Sequence, residues 1–383
     1  MVDIGSSILA DEPGTAHLNL NPHHPSTHGL IRLRLTVQNQ HIVSANTDIG
    51  YMHRGVEKLL ESRDFRQGLA LANRHDWLGA FSGELGYALA LESMLGLDVP
   101  PRASWLRTLV AELTRVISHL YFLEYFPHGL SPADIDTPVT SVNSSILLRD
   151  QAQQLLETLT GGRVHPMYVQ VGGLRHDTPA GWTEQVSHFT TAARKEAPAI
   201  APYLQIPTFT ELLRGVGVIT HDMAVAHGAS GAVGRASGID VDLRRDAPYA
   251  AYEDLRPILR VPTGEAGDVV TRLSIIRNQL DVALDLIDRC VDQLDGLDGP
   301  INVPLPKTLR APEGVHYGWS ETPLGIGGYL IVSQGERTPW RVKLRTPSFA
   351  HVDLLAHCLV GEHIKNLGPI VGSLFIITGD ADR

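Results

Sequence analysis

Cysteine is scarce: among 383 residues only Cys290 and Cys358 occur, far apart in the chain. Two such thiols exclude a disulfide framework and fit a reducing compartment. They also fall short of the four thiolates that an iron-sulfur cluster usually takes from one chain, so any cluster served here must belong to a partner. Positive charge is in deficit, with a formal net charge of -10, which argues against a nucleic-acid binder that needs a basic face. Long apolar runs are missing too. The longest, Leu367 to Thr378, is broken by two glycines and a proline and reaches about half of the ~20 residues a bilayer crossing needs. No basic-then-apolar leader opens the sequence, so the expected location is cytoplasmic, with membrane contact made through other chains. No Gly-rich dinucleotide fingerprint and no clustered ligand set is seen, so neither a nucleotide cofactor nor a metal of the chain's own is expected.

What is present is an ordinary globular composition, 43% hydrophobic and 19% charged, in a chain long enough for a large core. From Ile31 the residues alternate strictly through Val37, turn at Gln38-Asn39-Gln40 and continue at His41 to Ser44, the pattern of a β-hairpin. A second hairpin is expected from Tyr329 to Ser333 and Trp340 to Leu344, around Gln334-Gly335-Glu336-Arg337. Between them the period changes from 2 to about 3.6. Trp105 to Tyr121 carries an apolar stripe behind Pro100-Pro101, with Ser104 as N-cap, and Val269 to Leu294 a second whose outer face holds Arg272, Arg277 and Arg289. Weaker helical patterns cover Leu78–Leu95, Ile146–Leu159 and Trp182–Ala197. The spacing predicts an α+β fold: a central long-helix bundle with a small β-sheet from the N- and C-terminal hairpins. Residues 1–16 form a flexible N-terminus, 17–69 a β-hairpin and α region, 70–300 the bundle, and 301–383 an α/β region packing on the N-terminal sheet.

Four segments carry chemistry. Asn21 to Gly29 holds His23, His24 and His28 in a loop stiffened by prolines, suited to proton donation near neutral pH; a solvated structural role reads as well on the residues alone. Ile49 to Lys58 and Arg74-His75-Asp76-Trp77 cluster Arg, His and Asp beside two helix starts, as a site or as an ion-pair network. Gly161 to Tyr168, leading into Gly172-Gly173, allows close backbone approach by a cofactor, another chain or nothing but turns. Arg235-Ala236-Ser237-Gly238 with Asp242, Arg244 and Tyr249 reads only as an ordered loop.

Taken together, these segments resemble the quinone-site (D) subunit of NADH-quinone oxidoreductase, respiratory complex I, a family related to the large subunit of nickel-iron hydrogenases. The resemblance rests on His24-Pro25-Ser26-Thr27-His28-Gly29, Ile49-Gly50-Tyr51 with His53, Gly55-Val56-Glu57-Lys58, Pro100-Pro101-Arg102-Ala103, Gly172-Gly173, Arg235 to Gly238, Pro347-Ser348-Phe349 and Gly379 to Arg383. It implies a nickel-iron hydrogenase large-subunit-like fold in the peripheral arm, against the B and C subunits, with membrane-arm subunits beyond. Iron-sulfur clusters and FMN then lie in partner subunits, and quinone binds between this chain and the B subunit, on the cytoplasmic side of the cell membrane. His28, His24 and Trp77 become the expected quinone-binding residues. Arg74, His165 and Asp76 are expected near the partner's cluster. The Ala- and Gly-rich composition fits a source using menaquinone more than ubiquinone.

The sequence departs from the family at the site. Trp77 replaces a tyrosine after Arg-x-Asp, Phe126 to Pro132 lacks an aspartate, Phe375-Ile376 replaces Asp-Pro, and Ala266 stands for an arginine. Two readings follow: a quinone-reductase subunit with an altered pocket, or a divergent paralogue that scaffolds a related membrane complex without reducing quinone.

Overall fold

The computed structural model describes residues 6–12, 15–20, 30–129 and 140–383. The alternating segment folds as a hairpin of β3 (Arg32–Gln38) and β4 (His41–Asp48), which places Leu33, Leu35 and Ile42 inward. Its two turn residues, Asn39 and Gln40, have φ of 49° and 67°. Positive φ at both central positions gives a tight turn whose twist matches that of the flanking strands. Two earlier strands, β1 (Ser6–Glu12) and β2 (Thr15–Leu20), extend the sheet antiparallel in the order β1-β2-β3-β4. Within the lead-in expected to be flexible, residues 6–12 therefore form an edge strand, paired by backbone bonds that do not depend on a clear apolar alternation.

After two short helices, α1 (Val56–Glu61) and α2 (Phe65–Arg74), the bundle runs through α3 (Ala80–Leu95), α4 (Pro101–Tyr125), α5 (Thr140–Thr160) and α6 (Trp182–Glu196). Helix α4 packs along the Val269–Leu294 helix, so the two stripes read from the sequence face each other. Helix α4 starts three residues before the expected Ser104 cap, with Pro101 at its first turn. Proline suits that place because its missing N–H would have no helical acceptor. Arg272, expected on an outer face, is buried instead. It donates to the carbonyl oxygens of Gly217 (2.9 Å) and Gly267 (2.6 Å) and to Ser373 Oγ (2.9 Å).

The short strands β5 (Val169–Gln170) and β6 (Gly173–Leu174) precede a separate three-stranded sheet of β7 (Gly314–Thr322), β8 (Gly325–Ser333) and β9 (Arg341–Arg345). The two terminal hairpins thus do not share one sheet. Each is covered by a different helix: β7 lies so close on α3 that a Cβ on Gly318 would come within 2.5 Å of Ala90 Cα, while the Pro347–Leu359 helix packs on β4. The C-terminal region still meets the N-terminal sheet, through that helix and a bridge between His41 and His363. The glycine pair Gly172-Gly173 accommodates the chain's own 301–303 segment: Leu174 N–H donates to Ile301 O (2.8 Å) and Val303 N–H to Gly172 O (2.9 Å).

The supposed ordered loop at 235–246 closes a buried charge network. Glu112 on α4, Asp242 and Glu321 face Arg115, Arg235 and Arg244, all at most 1% exposed. Arg244 bridges Glu112 (3.1 Å) and Asp242 (2.7 Å), Arg235 reaches Glu321 (2.9 Å), and Tyr252 OH donates to Glu112 (2.5 Å). Burial pushes the Glu112 carboxyl up, but Arg115 and Arg244 outweigh it and hold it below its ordinary range. Breaking a buried set by removing one partner leaves the others uncompensated. Glu112→Ala should therefore cost about 3–5 kcal/mol of stability; a chemical-denaturation midpoint equal to that of the parent would refute this.

Candidate functional site

Asp64 caps α2 in a reciprocal box with Gln67, and the helix runs to Arg74 before residues 75–79 break it ahead of α3. That break turns Arg74, His75 and Trp77 toward a cleft of about 250 Å³, closed by Met52 and Arg54 on one side, by Tyr121 and Phe122 of α4, by His165, and by Ile376 to Gly379 of the C-terminal segment.

Beside the cleft, a hydrogen-bonded clasp joins two segments remote in sequence. Asp382 accepts from the N–H groups of Gly50 (2.8 Å) and Met52 (2.7 Å), and His53 Nδ1 donates to its carbonyl oxygen (2.7 Å). The Ile49-Gly50-Tyr51 and Gly379-to-Arg383 segments are thus halves of one structure. Below them His75 sits between Asp380 (3.1 Å) and Tyr329 OH (2.8 Å), and Asp380 in turn holds Ser348 N–H (3.0 Å).

Trp77 lies on the rim, 37% exposed, edge-on to Tyr121 with ring centroids 5.0 Å apart. Tyr121 stacks on Tyr125, and the Arg149 guanidinium lies over its ring. Burial raises the Tyr121 phenol above its ordinary pKa, so it stays protonated. Arg74 donates to the side-chain oxygen of Asn73 and is itself held by Arg54, which donates to the Arg74 carbonyl (3.0 Å). His165 Nδ1 lies 3.2 Å from Asn73 Oδ1 and 3.3 Å from Asn73 O. Both partners are acceptors, so the neutral ring carries its proton on Nδ1 and keeps Nε2 basic. Burial, then the Arg74 charge, lower its pKa. Behind it Asn73 Nδ2 donates to Glu84 (2.9 Å), a carboxyl that burial pushes up to about 8.

Of the residues singled out from the sequence, Arg74, Trp77 and His165 come together in the cleft. Asp76 does not line it. Its carboxylate is buried and accepts from Leu78 N–H (3.0 Å) and Gly79 N–H (2.9 Å), which shapes the turn into α3; burial, then Asp380, raise its pKa. His24 and His28 lie outside the described residues, as does the 130–132 part of the segment lacking an aspartate, while Leu30, two residues after His28, lines the cleft. Sequence reasoning missed Tyr121, absorbed into the α4 apolar stripe, and Arg54, His75 and Asp380, which stood inside noted motifs but carried no periodic signal. The structure can therefore present a planar ligand with two guanidinium groups, a phenol, an indole face and a histidine.

The family of the respiratory-chain NADH dehydrogenase 49 kDa subunit matches residues 137–309 and 303–383. A curated relative, the D 2 subunit of NADH-quinone oxidoreductase from Salinispora arenicola (strain CNS-205), is 47% identical over 382 residues, covering 99% of this chain and 97% of its own. The D subunit of NADH-quinone oxidoreductase from Bacillus cereus (strain ATCC 14579) is 35% identical over 369 residues, 95% of this chain and 98% of its own. A chain in the solved structure of the membrane-bound sulfane sulfur reductase, an archaeal respiratory membrane complex, superposes with a TM-score of 0.90 at 30% identity, covering 98% of this chain and 100% of that one. The chain belongs to the 49 kDa subunit family of respiratory-chain NADH dehydrogenase.

Proposed function

We propose that the chain is the quinone-site subunit in the peripheral arm of a NADH-quinone oxidoreductase, where electrons from NADH pass through FMN and iron-sulfur centres of partner subunits to quinone, coupled to proton translocation. The observation that carries this reading is the cleft itself, which gathers Arg74, His165, Trp77 and Tyr121. In this reading the chain lies on the cytoplasmic side of the membrane with the B and C subunits, and reaches the bilayer through membrane-arm subunits. Among the described residues no helix is long and apolar enough to cross a membrane. Menaquinone is the proposed substrate in preference to ubiquinone, on the Ala- and Gly-rich composition.

Reduction of a quinone adds two electrons and two protons, so donors must stand at its carbonyl oxygens. His28 and His24 are proposed to supply one side. Trp77 offers an indole face and one N–H but no transferable proton. Tyr121 is the one phenol among the described lining residues, and it stands against Trp77, where the family's tyrosine hydroxyl is lost. It is proposed to take over that donation. Arg74 and Arg54 supply positive charge that favours a reduced, more negative cluster in the partner. His165 starts neutral because burial and Arg74 disfavour its charge; an added electron nearby reverses part of that balance and draws a proton to Nε2.

A second reading, a scaffold subunit that does not reduce quinone, is favoured by one feature: Trp77 in place of the family's tyrosine. Variants separate the two. His28→Ala should remove a hydrogen bond worth about 1–3 kcal/mol and weaken apparent quinone affinity about 5- to 150-fold, read as NADH-to-quinone turnover in membranes. Unchanged rates in a complex proven to contain the variant would leave the scaffold reading standing. Tyr121→Phe should lower turnover by about a hundredfold, and adding Trp77→Tyr to it should restore part of the loss; no recovery would remove Tyr121 from proton donation. His165→Ala should flatten the pH dependence of the partner cluster's midpoint potential, from about 59 mV per pH unit toward zero for a one-electron, one-proton couple. A slope retained in the variant would place the coupled proton elsewhere.

A further inference from the structure

We propose that His227, Asp353 and His357 form a surface site for a first-row divalent metal of the zinc type. None of the three lines the cleft. Among the described residues they are the one group of three or more His, Cys, Asp or Glu side chains whose ligand atoms could converge on an ion, all lying within 4.8 Å of one another. Asp353 and His357 stand four residues apart on the Pro347–Leu359 helix, so their side chains rise from one face. His227 caps the His221–Ala226 helix, with its N–H donating to Met223 O (3.1 Å), and the chain turns away at Gly228. Its Nδ1 already hydrogen-bonds Asp353 Oδ2 at 2.5 Å, and its ring lies 4.6 Å from that of His357.

Two imidazoles and a carboxylate are the ligand count of an open tetrahedral zinc site, with water filling the fourth position. Nitrogen donors select zinc, nickel, copper or cobalt over magnesium and calcium, which favour oxygen. Bonds of about 2.0–2.2 Å require the donor atoms to close in by side-chain rotation, which Asp353 and His357 can make because both are exposed. Arg345, whose Nη2 donates to Gly228 O (2.7 Å), brings a positive charge to this neighbourhood, but its guanidinium is already engaged by Gly228 O, Ile326 O and Ser230 Oγ. Metal binding would tie the two helices together. The first turn of the Pro347–Leu359 helix also presents Ser348 N–H to Asp380, so the tie would stiffen the backing of the cleft.

The alternative is a solvated His–Asp pair that needs no ion, and the two give opposite results in one experiment. Cobalt(II) is titrated into the full-length chain without a histidine tag, reading visible d–d absorption, with zinc as competitor. One equivalent bound with tetrahedral bands, displaced by zinc and weakened more than about tenfold in both Asp353→Asn and His357→Gln, supports the site. Both replacements keep side-chain shape at exposed positions, and unchanged circular dichroism and thermal midpoint without metal verify their folds. His188→Ala, on another helix, should bind as the parent does. Absent bands at one equivalent, or bands that persist in the two variants, would overturn the proposal.

Discussion

Six buried charges, three of each sign, fix how the halves of this protein meet. Charges taken out of water lose their hydration, and mutual attraction compensates only when every member is satisfied. Glu112, Asp242 and Glu321 come from α4, from the loop before residue 244 and from β7, and each arginine adds a carbonyl or carboxylate partner: Arg115 alone binds Thr322 O (3.0 Å) and Glu321 O (2.7 Å). One rotation of α4 satisfies this set. Tyr121 lies nine residues beyond Glu112, two and a half helical turns on, and so on the opposite face of the helix. The network on one side thus aims Tyr121 into the cleft on the other.

The cleft is built from pieces that are remote in sequence, and its wall is backbone held by side chains. Asp382 ties the chain's last residues to Gly50 and Met52, and Asp380 ties the same segment to His75 and Ser348. Phe375, buried against Phe122, takes a φ of 51°. A bulky residue in that region is disfavoured unless its surroundings over-determine it.

Protonation connects the frame to the proposed chemistry. A neutral His165, hydrogen-bonded through Asn73 to a Glu84 carboxyl pushed up to about 8, leaves two titratable groups on one short chain of hydrogen bonds, each held toward its neutral form by burial. Such groups respond to a nearby change of charge. Trp77 cannot join that exchange, so the proposed function assigns proton donation to Tyr121, His24 and His28.

The sequence by itself determined the long helices, both hairpins, the absence of thiolates for a cluster and the family resemblance, because periodicity and short motifs are local. It also named Arg74, Trp77 and His165. It did not reveal that the terminal hairpins build separate sheets, since strand alternation says which face is buried and not which helix covers it. The apolar stripe hid Tyr121, and no period marks a buried charge such as Arg272 or the 235–246 loop. Asp76 became a turn residue, and His227 met Asp353 across 126 positions. Those outcomes depend on long-range packing and on partners for buried charge, and only the tertiary structure supplies them.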